Sequence, residues 1–233
     1  MEDRRILQAH DGNLPRNVFL IAEEFRTGFE AVDGIDRPGV SVFGSARVRP
    51  ESEVYETARQ IGRLFAEAGF AVITGGGPGV MEAANRGAQE AGGLSIGFGI
   101  ELPHEQATNP YLDMSILFRH FYARKTMLVK AAEGFVMMPG GFGTLDEMFE
   151  ALTLIQTGKV LNFPVVLFGR EHWEGLVGWI NDRLLSRRLI SPEDEDLLFV
   201  TDDPDEAVSL VVECYEERRA GLRTAESRKA DAQ

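Results

Sequence analysis

A single cysteine, Cys214, among 233 residues excludes an intrachain disulfide, and its place beside Glu213 and Glu216 in a helical stretch speaks against a catalytic thiol. The four histidines, His10, His104, His120 and His172, are scattered without the close spacing of metal ligands, so no metal site is expected. Positive charge is also scarce. With 24 Lys and Arg against 37 Asp and Glu, the formal net charge is −13, whereas a general binder of nucleic acid or of an anionic membrane needs a basic face. No apolar run approaches the length of a membrane span, and Met1-Glu-Asp-Arg-Arg5 leads into a polar stretch rather than a secretory core, which together predict a cytoplasmic protein. Two nucleotide signatures are missing as well. The turn Gly44-Ser-Ala-Arg47 has one glycine where a dinucleotide site needs G-x-G-x-x-G, Thr74 stands where that site needs an acid, and no G-x-x-x-x-G-K-[ST] occurs. Any phosphate must therefore be held by local groups.

What remains is a chain the size of one large α/β domain. Short apolar runs at 40–43, 71–74, 94–98, 114–118, 135–138 and 164–168 alternate with helical patterns at 55–68, 80–90, 121–132, 145–157 and 173–185. This alternation predicts a Rossmann-like, doubly wound parallel sheet with helices on both faces. The loops after the strands then gather at one edge, where open sheets bind ligands, and they include Gly44-Ser45, Gly75-Gly-Gly-Pro-Gly79 and Pro139 to Gly143. Gly44, Ser45, Gly76 and Gly77 are accordingly expected to contact substrate. Residues 1–39 form an extension with an amphipathic helix over 17–32, whose stripe of Val18, Ile21, Ala22, Phe25 and Phe29 packs on the body or on a partner subunit. Residues 40–215 form the catalytic domain, and the polar segment 216–233 is expected to be disordered.

The richest segment is Pro139-Gly-Gly-Phe-Gly-Thr-Leu-Asp-Glu147, which follows a buried strand and opens a helix. Glycines allow close approach to a ligand, and the free N–H groups and positive dipole end of a new helix favour phosphate. Thr144-Leu-Asp-Glu147 also matches a capping box, which would give Glu147 a purely structural task. A second cluster, Phe121-Tyr-Ala-Arg124-Lys125, opens the helix after the fourth strand; it offers bidentate and point-charge contacts to phosphate, or else a solvated helix face. Several glycine loops converging on one edge suit a mononucleotide.

Gly75-Gly-Gly-Pro-Gly-Val-Met-Glu-Ala-Ala84, Arg124-Lys125 and the Pro-Gly-Gly-x-Gly-Thr-x-x-Glu pattern at 139–147 resemble, in order and spacing, the LOG family of cytokinin-activating phosphoribohydrolases, often mislabelled as lysine decarboxylases. The resemblance covers roughly residues 40–185. It implies hydrolysis of the N-glycosidic bond of a cytokinin riboside 5′-monophosphate or of AMP, without metal or redox cofactor. It implies catalytic roles for Arg124 and Glu147. Substrate contacts would come from Gly141, Phe142, Gly143, Thr144, Leu145 and Asp146, together with Lys125, Glu105 and Thr153. Thr153, six residues beyond Glu147, points about 120° away on an ideal helix, so its role in the resemblance would be to serve a neighbouring subunit. The family's sites near subunit contacts, with the amphipathic stripe, imply a homodimer or larger assembly. A nucleosidase without a cytokinin role and a non-catalytic carrier of a phosphorylated ligand are the alternatives; the pairing of Arg124 with Glu147 argues against the carrier.

Overall fold

The computed structural model of the chain describes residues 14–102, 108–161 and 163–230. The elements in chain order are α1 (Leu14–Asp33), β1 (Gly39–Phe43), α2 (Glu53–Glu67), β2 (Ala71–Thr74), α3 (Val80–Glu90), β3 (Ser95–Ile100), β4 (Met114–Phe118) and α4 (Phe121–Lys130). They continue with β5 (Phe135–Met137), α5 (Phe142–Gln156), β6 (Val165–Phe168), α6 (Arg170–Trp179), β7 (Leu198–Thr201) and α7 (Pro204–Ala230). A π-helical turn, Ile180–Leu185, extends α6, and a 3-10 turn, Pro192–Leu197, leads into β7.

The seven strands pair in the order β4-β3-β2-β1-β5-β6-β7, and every pair is parallel. Right-handed crossovers carry the chain outward from β1 in both directions, which makes the gap between β1 and β5 the switch point of the sheet. Central strands are covered on both faces, so they read as continuous apolar runs. In β1, Val40 and Val42 face one core with Ile61 and Phe65 of α2 and Ala83 and Ala84 of α3, while Phe43 faces the other with Met127 of α4 and Met148 of α5. Burying a side chain such as Ile61 or Phe65 contributes about 1.5–3 kcal/mol. The two-faced prediction from alternation is therefore met.

A buried polar network fixes the loop after β2. Thr74 Oγ1 donates to Asn85 Oδ1 at 2.6 Å and accepts the Gly76 N–H at 2.9 Å, and Asn85 Nδ2 donates to Ser95 Oγ at 2.9 Å. Asn109 Nδ2 joins it at 3.0 Å from Asn85 Oδ1 and 3.1 Å from the Gly77 carbonyl. Each buried polar group is satisfied by another, which makes this loop a rigid wall.

Three sequence expectations need correction. Helix α5 begins at Phe142, not Leu145, with Gly141 in an extended conformation as its N-cap, so Thr144 already lies in the first turn and no capping box forms. The segment from residue 216 onward does not break into coil: α7 runs on to Ala230, because Ala, Glu, Arg and Lys are good helix formers even without an apolar stripe. Strand β7 was not anticipated, although Leu198-Phe-Val200 is a short apolar run, because a 3-10 turn rather than a helical pattern leads into it. Helix α1 spans the predicted region but docks only through its C-terminal half. Phe25 packs on the core and Val32 is buried, whereas Val18 is exposed.

Candidate active site

At the switch point a cleft of about 700 Å³ opens above β1, β2 and β5. Its walls are Phe43, Gly44, Ser45, Ala46 and Arg47 from the end of β1, Gly75 and Met81 after β2, Arg124 from α4, and residues 141–145 with Glu147 from α5. The β1 loop is tied to both neighbours: the Ser45 N–H donates to the Pro139 carbonyl at 3.1 Å, and the Ser45 carbonyl accepts the Val80 N–H at 3.1 Å. That second bond occupies the N-terminus of α3. The N-terminus of α5 is different. Gly141 provides no side-chain cap, and the first N–H groups of a helix have no intrahelical acceptor, so this end is the one that opens donors and positive dipole toward the cleft. Gly140 must be glycine, since a Cβ there would collide with Thr144 Oγ1.

Arg124 enters from the other side. Its Nε donates to the Phe98 carbonyl at 2.7 Å, which fixes the guanidinium plane and leaves the Nη donors for a ligand. Gly75 makes room for it, because a Cβ at that position would stand 2.5 Å from Arg124 Nη2 and 2.7 Å from Met81 Sδ. Burial pulls the guanidinium below its ordinary range while the charge of Glu147 opposes the shift; arginine stays protonated regardless.

Glu147 is 3% exposed, and its Oε2 is a buried oxygen without a hydrogen-bond partner. Desolvation raises its carboxyl, Arg124 and Lys125 pull it down, and Glu150 and Asp146 push it up, leaving it at about 7. A carboxyl so placed is matched to proton transfer near neutral pH. The capping box does not form, and Glu147 is instead buried, with an unpartnered Oε2 and within electrostatic reach of Arg124.

The structure brings together Gly44, Ser45, Arg124, Gly141, Phe142, Gly143, Thr144, Leu145 and Glu147. It separates the others. Gly76 and Gly77 do not line the cleft but brace its wall through Thr74 and Asn109, as the Asn109 N–H also donates to the Gly76 carbonyl at 2.8 Å. Lys125 turns along α5 and pairs with Asp146 at 3.0 Å and Glu150 at 2.7 Å, so neither Lys125 nor Asp146 faces the cleft. Thr153 is exposed, and its Oγ1 donates to the Phe149 carbonyl at 2.7 Å. Glu105 lies outside the described residues. The sequence reading passed over Arg47 and Met81. Arg47 carried a usable signal, as the first of two arginines in the loop directly after the central strand; it is exposed at the cleft, with its N–H on Ser45 Oγ at 3.1 Å. No described lysine lines the cleft, so it offers no amine for Schiff-base chemistry.

Comparison with known proteins places this geometry. A family model described as "Possible lysine decarboxylase" matches residues 81–211. The cytokinin riboside 5′-monophosphate phosphoribohydrolase of Mycobacterium tuberculosis is 30% identical over 159 residues, covering 67% of this chain and 84% of the relative. Its counterpart in Mycobacterium marinum is 29% identical, covering 74% and 94%. Among solved structures, the molybdenum cofactor carrier protein of Chlamydomonas reinhardtii superposes with a TM-score of 0.59 at 26% identity, covering 77% of this chain and 99% of the carrier. The molybdenum cofactor binding protein of Rippkaea orientalis gives 0.54 at 28% identity, covering 76% and 97%. With the family model spanning more than half its length and a phosphoribohydrolase relative at 30% identity, the chain belongs to the LOG family.

Proposed function

We propose that the protein hydrolyses the N-glycosidic bond of a nucleoside 5′-monophosphate, an adenine nucleotide or its N6-prenylated form, to the free base and ribose 5-phosphate. Water supplies the hydroxyl to C1′ and a proton to the departing base. The single observation that carries this reading is the buried, unpartnered carboxyl of Glu147 facing a cleft whose opposite wall holds Arg124. Positive charge develops on the ribose as the bond breaks, and a carboxylate near C1′ stabilises it and activates the water. The open N-terminus of α5 and Arg47 hold the 5′-phosphate, a contact remote from the breaking bond whose binding energy orients the sugar. Arg124 either steadies the phosphate or assists departure of the base.

The protein works as a homodimer or larger assembly in this reading. Support comes from the apolar side chains left exposed around α1, β4 and α4: Val18 at 55%, Phe19 at 61%, Leu117 at 61% and Phe121 at 45%. A second reading is favoured by the carrier proteins among the structural neighbours, which bind a cofactor rather than cleave a nucleotide by their names. It leaves the buried Glu147 without a task. Glu147→Gln keeps the shape and removes the charge, so kcat for the best nucleotide should fall by about 10²-fold or more while the circular dichroism spectrum is unchanged. Turnover at the wild-type rate overturns the proposed role of Glu147.

A further inference from the structure

We infer that Glu24, on the N-terminal helix α1, is a positioning residue for Arg124. The inference rests on the phosphoribohydrolase reading for what Arg124 does, but not for the contact that holds it. Strand β4 ends at Phe118 and α4 starts at Phe121, so two residues, Arg119 and His120, set the direction in which α4 leaves the sheet. Glu24 grips both. Its Oε1 accepts the Arg119 N–H at 2.8 Å, and its Oε2 lies 2.7 Å from His120 Nδ1, which donates to the carboxylate. The His120 carbonyl in turn accepts the Arg124 N–H at 3.2 Å. A continuous path therefore runs from the carboxylate of Glu24 to the backbone of Arg124, whose guanidinium is anchored at its other end on Phe98.

The placement of this carboxylate is not what docking alone demands. Helix α1 already lies along α4 through Phe25 stacked on Tyr122, Asp33 paired with Lys130 at 2.9 Å, and Gly28 so close to Met127 that a Cβ would stand 2.7 Å from its Cγ. The side chains of Glu24 and His120 are 15% and 3% exposed, and withdrawing a carboxylate from water is unfavourable unless its new partners offset the loss. Here those partners are the backbone and ring of the one turn that aims Arg124. His120, the N-cap of α4, makes no side-chain capping bond, so the negative charge at this helix start comes from Glu24, across 96 residues of sequence. The extension before β1 thus completes the site rather than decorating it.

Glu24→Ala should raise hydrogen exchange at the amides of residues 119–124 in the ligand-free protein, with those of β1 unchanged. It should lower kcat/KM for the best nucleotide by about 10- to 100-fold, the scale of a small misplacement of a catalytic group. In an Arg124→Ala background the same change should cost less than about twofold, because the group it positions is already gone. Glu24→Gln, which keeps an acceptor for Arg119, should recover most of the activity. Arg26→Ala, whose partners Glu23 and Glu30 lie on the same helix, should leave exchange and activity alone. Wild-type exchange at 119–124 in Glu24→Ala overturns the inference whatever the protein hydrolyses, and so does an undiminished loss in the Arg124→Ala background. Should Glu24→Ala fail to fold, Glu24→Asp, one methylene shorter, must show the same exchange increase in weaker form or the inference falls. A wild-type protein that cleaves no nucleotide removes the functional reading instead, and the exchange result still decides the contact.

Discussion

Glu147 couples the stability of this protein to pH. The folded chain holds its proton up to about pH 7, whereas an unfolded chain releases it near the ordinary 4.5, so between those values the native state binds more protons. Stability therefore falls as pH rises through this window, and above it the ionised, buried carboxylate costs up to about 3 kcal/mol. Glu147→Gln should melt several degrees above the wild type at pH 8 and close to it at pH 4.5; thermal scans at the two values check this, and equal melting temperatures at pH 8 contradict the burial argument. Arg47 makes a different prediction. It is exposed at the cleft, and truncating a charged donor to phosphate costs about 1.5–3 kcal/mol of binding. Arg47→Ala should raise KM, or weaken ribose 5-phosphate binding by calorimetry, at least about tenfold with kcat little changed.

At the scale of elements, the start of α5 decides what the glycine loop does. The pattern Thr-x-x-Glu pointed to a helix beginning after Thr144, and Gly-Phe-Gly is a poor helical sequence by propensity. Leu145, Met148 and Leu152 nonetheless pack on the core and draw the first turn back to Phe142, which buries Glu147 one turn further in than a cap would lie. Tertiary packing overrode a local signal. The strand-and-helix order was legible because buried parallel strands are continuous apolar runs, and α3 and β2 fall where the pattern put them. The edge strand β7 was not, because its apolar run follows a charged 3-10 turn, Pro192–Leu197, rather than a helical pattern, and so stood outside the alternation. If the uncapped end of α5 is the phosphate site, a bare nucleoside leaves its donors unused. The kcat/KM for adenosine should fall below that for AMP by about 10²-fold or more, the worth of two or more charge-assisted hydrogen bonds. Comparable values remove the phosphate role of that helix end.

For the whole molecule, the parallel order β4-β3-β2-β1-β5-β6-β7 brings three glycine loops, distant in sequence, to one switch point, and this much followed from the alternation of elements. Which residues then face the cleft did not follow. Lys125 and Asp146 sit beside Arg124 and Glu147 in sequence, yet helix rotation turns them onto each other, and Gly76 and Gly77 are claimed by Asn109, whose part no spacing announced. The part of the extension was equally hidden, because a contact between Glu24 and His120 depends on how α1 docks. The same fold serves proteins named as phosphoribohydrolases and proteins named as cofactor carriers, so the decisive measurement concerns the protein as a whole. Purified protein incubated with a panel of nucleoside monophosphates, including N6-prenylated AMP, should release free base and ribose 5-phosphate in equal amounts, read by chromatography. Tight binding across the panel with every nucleotide recovered intact contradicts the account and makes the cleft a carrier's.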